Sequence, residues 1–179
     1  PEKHVFPESP DGSVDLPAPR IEDRLDIAAI MKMSQAISSE IVLEKLLVTL
    51  IRVIAENSGA EKALLILNRN GRFKIDAEIG DNAERVIVLQ GIAVDESDAL
   101  CPGIISYVKR TREPLVLDDA RANGRFSGDP YICQHLVRSL LCLPLIRQQQ
   151  VIGLIYLENN LTPNAFTPDR VEMITMLST

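Results

Sequence analysis

The sequence predicts an α+β fold built on a central antiparallel sheet, with helices on one face and room for a ligand on the other. Three observations carry that expectation. Arg138-Ser139-Leu140-Leu141-Cys142-Leu143-Pro144-Leu145 and Val151-Ile152-Gly153-Leu154-Ile155-Tyr156-Leu157-Glu158 are two apolar runs separated by a polar turn. Runs this apolar are buried on both faces, as at the centre of a covered sheet. Arg69-Asn70-Gly71 stands between the apolar runs Lys62–Asn68 and Arg72–Ile79, and Asn-Gly in that setting is a strong hairpin signal. Leu43, Leu46, Leu47, Leu50 and Ile54 recur at i, i+3, i+4 spacing, which makes the apolar stripe of an amphipathic helix.

Taken in order, Pro1–Arg20 carries five prolines among charged and small residues. Its apolar surface is too small to offset the entropy of ordering, so residues 1–20 read as a linker or tail and residues 21–179 as one domain. The chain opens on Pro1 and stops at Thr179 inside an apolar helical pattern, so a segment of something larger, with its last helix cut short, is expected. Ile27, Ile30, Met33, Ser34 and Ile37 predict a first helix over 21–38, broken at Ser38-Ser39. A second spans about 41–57 and stops at Ser58-Gly59. After the Asn-Gly hairpin, Arg85–Leu89 reads as a third strand and Ile92–Leu100 as a loop. Pro102 opens a helix to about Arg112, and Pro114–Leu117 is a short strand that proline confines to an edge or a start. Asp118–Gly128 is polar and punctuated by glycine, and Asp129-Pro130 then caps and starts a short helix ending near His135. Thr167-Pro168-Asp169 repeats that grammar and opens a terminal helix through Val171, Ile174 and Leu177.

Composition narrows the function. The 179 residues, 46% of them hydrophobic, suffice for one domain with a sizeable core. A net charge of −6 and a pI near 5.0 argue against nucleic acid or an anionic membrane as partner. The densest basic stretch, Lys109-Arg110-Thr111-Arg112, reads as a helix end complementing its dipole. No apolar stretch approaches the roughly 20 residues of a membrane span, and no signal segment opens the chain, so the expected location is cytoplasmic. Cys101, Cys133 and Cys142 lack metal-ligand spacing and read as buried thiols. Asp118-Asp119 reads as a solvated turn or cap, and no phosphate-binding loop or hydrolase motif is present.

This order of elements, with Val116-Leu117-Asp118-Asp119-Ala120, Asp129-Pro130-Tyr131, Arg138–Leu145 and Gly153-Leu154-Ile155-Tyr156-Leu157-Glu158-Asn159, resembles a GAF domain. The resemblance runs from about Leu25 to the end and is strongest to GAF modules inside large multidomain bacterial sensor kinases. It implies a five- or six-stranded antiparallel GAF/PAS-like sheet with the first, second and terminal helices on one face. The Pro102 helix and the Asp118–Leu136 segment would roof a small-molecule pocket on the other. Candidate lining residues are Ile105, Phe126, Tyr131, His135 and the pocket-facing members of Leu141, Leu143 and Tyr156. The alternative is that side chains fill this space. The resemblance further implies a non-catalytic regulatory domain of a signal-transduction protein, a sensor histidine kinase, adjoining that protein's kinase domains. It also implies a homodimer through the terminal helices, with Ile27, Ile30, Ile37, Ile174 and Leu177 either at the seam or covering the chain's own sheet. A purely structural dimerisation spacer is the competing reading.

Three ligand chemistries of the family leave partial traces. The cyclic-nucleotide motif of Asn-Lys, a later Phe, then Asp-Glu is matched only at Asn160, Phe166 and Asp169, with Leu161 in place of lysine. A bilin cysteine is commonly followed by His, whereas Gln134 separates Cys133 from His135. Free methionine-(R)-sulfoxide reductase shares the fold, and Cys133 and Cys101 stand near two of its cysteine positions. Its third cysteine has no counterpart between Leu89 and Leu100, and of its substrate-holding acids Glu158 alone has one.

Overall fold

The computed structural model describes residues 45–80, 86–122 and 124–177, without the side chains of 86–90 and 177. These residues belong to a unit running over Ile41–Thr179. The expected tail, the helix over 21–38 and the boundary at residue 21 lie outside them. Helix α1 is described over 45–58. It ends as its sequence requires, with Gly59 left-handed at φ 74° and the Ser58 hydroxyl accepting from the Ala60 amide at 3.1 Å.

Six strands follow: β1 Lys62–Arg69, β2 Arg72–Ile79, β3 Val86–Ala93, β4 Leu115–Leu117, β5 Ser139–Arg147 and β6 Gln150–Asn159. They form one antiparallel sheet in the order β3-β2-β1-β6-β5-β4. The two apolar runs are β5 and β6, inside the sheet as expected, and the proline-led strand β4 is an edge. Asn70 and Gly71 both have positive φ, 55° and 87°, the turn whose twist matches flanking strands. The β5–β6 hairpin makes the same turn with Gln148 and Gln149, at 50° and 62°, despite the steric penalty a Cβ carries there.

Strand β3 departs from the expectation of a strand over 85–89 followed by a loop from 92. It continues to Ala93, because the register with β2 passes from Ala77↔Val88 to Ile75↔Ile92. Two extra β3 residues are absorbed there, and Gly91 sits in the segment at φ 70°. A bulge centred on glycine thus lets pairing resume where sequence reads a loop.

Helices α2 Pro102–Thr111, α3 Pro130–His135 and α4 Pro168–Leu177 complete the unit. Asp129 caps α3, its carboxylate accepting from the Tyr131 amide at 2.9 Å, and Leu136 ends it left-handed at φ 56°.

Alternation along the central strands separates two cores. One face carries Ala63, Leu65, Leu141, Leu143, Ile155 and Leu157, which pack with Leu47, Ile51 and Ile54 of α1 and Ile174 of α4. The other carries Leu64, Ile66, Leu140, Cys142, Leu154 and Tyr156, which pack with Cys101, Ile104, Ile105, Tyr131 and Ile132. Ile174 is fully buried in the cluster against the chain's own sheet, the second of the two assignments offered for it. Ile27, Ile30, Ile37 and the side chain of Leu177 lie outside the described residues.

Strands β1 and β6 meet closely at Gly153, where a Cβ would stand 2.6 Å from the Ile66 carbonyl oxygen and 2.9 Å from a Leu67 methyl. Gly153→Ala is therefore expected to cost about 1–3 kcal/mol, the range for overpacking a core. It should lower the urea midpoint with little change in slope. Gly71→Ala meets no atom within 4 Å, so only the left-handed backbone resists it and about 1 kcal/mol is expected.

Candidate functional site

The roofed face is organised around a buried carboxylate. Glu158, at the end of β6, is 1% exposed and pairs across the sheet with Lys62 on β1 and Leu140 on β5. Tyr156, two residues earlier on the same face, donates its hydroxyl to one Glu158 oxygen at 2.6 Å. The Tyr131 hydroxyl comes from α3 in the roof and lies 3.1 Å from the other oxygen. It is also 2.9 Å from the Ala99 carbonyl and accepts from Lys62 Nζ at 3.0 Å. Lys62 in turn donates to the Ala99 carbonyl. The Cys101 amide donates to the Tyr156 hydroxyl at 3.2 Å. Two phenols and one ammonium thus stitch the segment before α2 to the middle of the sheet.

Tyr131 also reaches the surface. A cleft of about 440 Å³ opens beside it, lined by Ser97, Asp98, Leu100, Pro102, Asp129, Pro130, Tyr131, Gln134 and His135. The His135 ring stacks on Tyr131 with centroids 4.3 Å apart, leaving an aromatic wall beside the carboxylates of Asp98 and Asp129. A site of this size accommodates a small metabolite.

The structure brings together some of the sequence-predicted residues and separates others. Tyr131 and His135 line this cleft. Ile105 and Tyr156 belong to the roof-side core beneath it. Phe126 packs in the same core but opens onto a different groove. Leu141 and Leu143 are corrected: both lie on the opposite face against α1 and α4, and their places on the roofed face are taken by Leu140 and Cys142. Every residue from Leu140 to Leu143 is buried, so polarity left the parity of this strand open. Sequence reasoning missed Lys62 and Ala99 altogether. The reach of Lys62 to Glu158's neighbourhood depends on the β1–β6 register, which no local pattern encodes.

The motif traces resolve in the same way. Asn160 lies in the bend after β6 and Asp169 is a first-turn acid of α4. His135 is the exposed last residue of α3. Asp119 turns back to accept from the Arg121 amide at 3.1 Å. Among the described residues no group of three or more His, Cys, Asp or Glu side chains is placed to hold a metal ion. Nor is any helix among them long and apolar enough to cross a membrane.

Burial sets the thiol chemistry. Cys101 and Cys142 are buried, as expected of all three cysteines, but Cys133 is exposed, because α3 turns Tyr131 and Ile132 inward and Cys133 away. Desolvation, with Asp129 adding to it, pushes the Cys101 thiol up to about 12, and burial raises Cys142 as well. Both are therefore protonated and poorly nucleophilic near neutrality. In the native protein Cys133 should react quickly with a soluble disulfide reagent while the other two react only on unfolding. Thiol counting before and after addition of denaturant checks this.

Burial, reinforced by the Glu158 carboxylate, also holds Tyr131 and Tyr156 well above the ordinary tyrosine value. Their neutral forms are favoured in the folded state, so the stability they confer is intact below the ordinary value of about 10 and is lost as pH rises through and beyond it. Each should lower stability by on the order of 1 kcal/mol per pH unit above that value. Alkaline titration should show their phenolate absorbance arriving only with loss of the native circular dichroism.

The sequence matches the GAF domain family over residues 42–179. It is 32% identical over 94 residues to hybrid signal transduction histidine kinase G of Dictyostelium discoideum, covering 51% of this chain and 3% of that protein. It is 26% identical over 157 residues to the peroxide stress-activated histidine kinase mak3 of Schizosaccharomyces pombe, covering 87% of this chain and 7% of that one. The chain therefore spans only a small fraction of either relative. In fold it is similar to the type II free methionine-R-sulfoxide reductase of Thermoplasma acidophilum, with 15% identity, a TM-score of 0.55 and coverage of 76% of this chain and 86% of that one. With a family match over most of its length, and a six-stranded antiparallel sheet roofed on one face, the chain belongs to the GAF domain family.

Proposed function

We propose that this chain is a regulatory sensory domain of a larger signal-transduction protein, a histidine kinase like the two relatives, and that it performs no catalysis itself. A small molecule in the cleft beside Tyr131 and His135 biases the roof, and the roof biases the terminal helix that leads onward. The observation that carries this reading is a direct bond between the two. The Asp118 carbonyl, where the roof begins, accepts from the Asn164 amide at 2.7 Å, in the loop entering α4. Ser139 reinforces the junction, its hydroxyl donating to the Thr162 carbonyl at 2.6 Å and accepting from the Ala165 amide at 3.1 Å. Ligand-induced movement of the roof therefore has a short path to α4.

The burial of Cys101, which favours its protonated form, supports the non-catalytic part of the proposal, since a thiol reductase acting through the exposed Cys133 needs a reachable resolving thiol. Pairing with a second copy belongs to the same proposal, with the exposed Leu46 of α1 and Met176 of α4 as its apolar contributors in place of Ile174.

The test is native mass spectrometry of the protein from its own host, followed by hydrogen exchange with and without whatever adduct is found. A non-covalent adduct lost on denaturation, with slower exchange at the Asn164 amide when it is bound, is the expected result. A dimer without adduct overturns the ligand-binding reading in favour of a structural spacer. Turnover of free methionine sulfoxide that Cys133→Ser abolishes overturns the non-catalytic one.

A further inference from the structure

The roof carries a second groove of opposite character. It has a volume of about 270 Å³ and is lined by Gly103, Ser106, Tyr107 and Arg110 of α2 and by Arg125 and Phe126 of the loop before α3. Its charged lining is two guanidinium groups with no carboxylate, whereas the cleft beside Tyr131 contains Asp98 and Asp129. Both guanidiniums are gathered on one ring: Arg125 stands 4.7 Å from the Tyr107 centroid and Arg110 6.0 Å. Tyr107 is itself held edge-on against the buried Phe126, with centroids 6.0 Å apart and planes at 78°.

Among the described residues neither arginine forms an ion pair or a hydrogen bond, the ion pairs there being Arg69 with Asp76 and Arg72 with Asp95 and Glu96. Two like charges brought onto one tyrosine repel each other, and among the described residues no carboxylate forms an ion pair with either. Stacking on an aromatic face orients a guanidinium while leaving its N–H edge free, the form in which arginine binds oxyanions in pairs of parallel hydrogen bonds. Ser106 adds a hydroxyl donor to the lining.

We propose that this groove is a binding site for a small dianionic oxyanion, a phosphate group either free or on a small ester, held between Arg110 and Arg125. The volume lies just below the usual range of small-molecule sites and suits a phosphate with a small substituent. Occupancy bridges α2 to the loop carrying Phe126, so it stiffens that part of the roof. The site shares no lining residue with the cleft beside Tyr131.

Isothermal titration of the 179-residue chain with inorganic phosphate and with phenyl phosphate, at constant ionic strength, tests the assignment. Saturable binding of one phosphate per chain is expected, weakened about tenfold or more by Arg125→Gln or Arg110→Gln and abolished by the double substitution. Preference for phenyl phosphate identifies an ester as the natural form, and equal affinity identifies the free anion. Neither arginine packs in a core, so circular dichroism should report native variants. Tyr107→Leu keeps both charges but removes the ring that aligns them, and should also weaken binding. Absence of saturable binding, or binding undiminished in the double variant, overturns the proposal. So does binding that chloride suppresses as effectively as phosphate displaces it.

Discussion

A single buried carboxylate holds the roofed half of this domain in place. Glu158 sits on the central strand of the sheet almost without solvent, and a carboxylate so placed is tolerable only with hydrogen-bond donors around it. Tyr156 supplies one from within the strand, and the Tyr131 hydroxyl faces the other oxygen from the roof. Satisfying Glu158 therefore determines where α3 rests. Because Tyr131 also meets Lys62 and the Ala99 carbonyl, the same requirement locates the segment leading into α2. The apolar packing of Ile104, Ile105 and Ile132 adds most of the buried area, but area has no direction. The polar cluster supplies the direction, as buried networks do when every member is satisfied.

The residue after Glu158 does the corresponding task on the far side. Asn159 donates to the Gly59 carbonyl at the end of α1 and accepts from the Leu161 and Thr162 amides in the connection toward α4. Successive residues of a strand point to opposite faces, so Glu158 anchors the roof while Asn159 anchors the scaffold helices. The end of β6 is thus where the two halves of the domain meet. The Asp118–Asn164 bond closes a second connection a few residues away. The roof and the connection into the terminal helix are thus joined at two hydrogen-bonded points close together on the fold.

Charge divides the roof into two sides. The cleft beside Tyr131 combines an aromatic wall with carboxylates, and the groove beside Tyr107 combines an aromatic ring with guanidiniums. Both use an aromatic side chain of the roof that is anchored below, Tyr131 on Glu158 and Tyr107 on Phe126. Both grooves adjoin α2, through Pro102 in one and Gly103 to Arg110 in the other. The buried thiols at Cys101 and Cys142 belong to the packing beneath the roof, and desolvation favours their protonated form.

Much of the fold was legible in residue order because its signals are local. Asn70-Gly71 adopts the turn its backbone preferences demand, Asp129-Pro130 caps and starts α3, Pro168 opens α4, and Pro114 precedes an edge strand. Each depends on a few neighbouring dihedrals. The extension of β3 past Gly91 was not legible, since it depends on how β2 absorbs a bulge. The candidate site was half legible: the family resemblance singled out Tyr131, His135, Ile105 and Tyr156 for the roofed face but could not say which of Leu140 to Leu143 faces the roof. In a strand apolar on both faces, alternation conveys no side, and only pairing Cys142 with Tyr156 decides it. What the sequence by itself determined was the set of elements and their apolar surfaces. What the tertiary structure alone decided was which polar atoms meet. The Lys62–Tyr131–Glu158 cluster and the approach of Arg125 to Tyr107 join residues apart in the chain, and only strand register and helix docking bring them into contact.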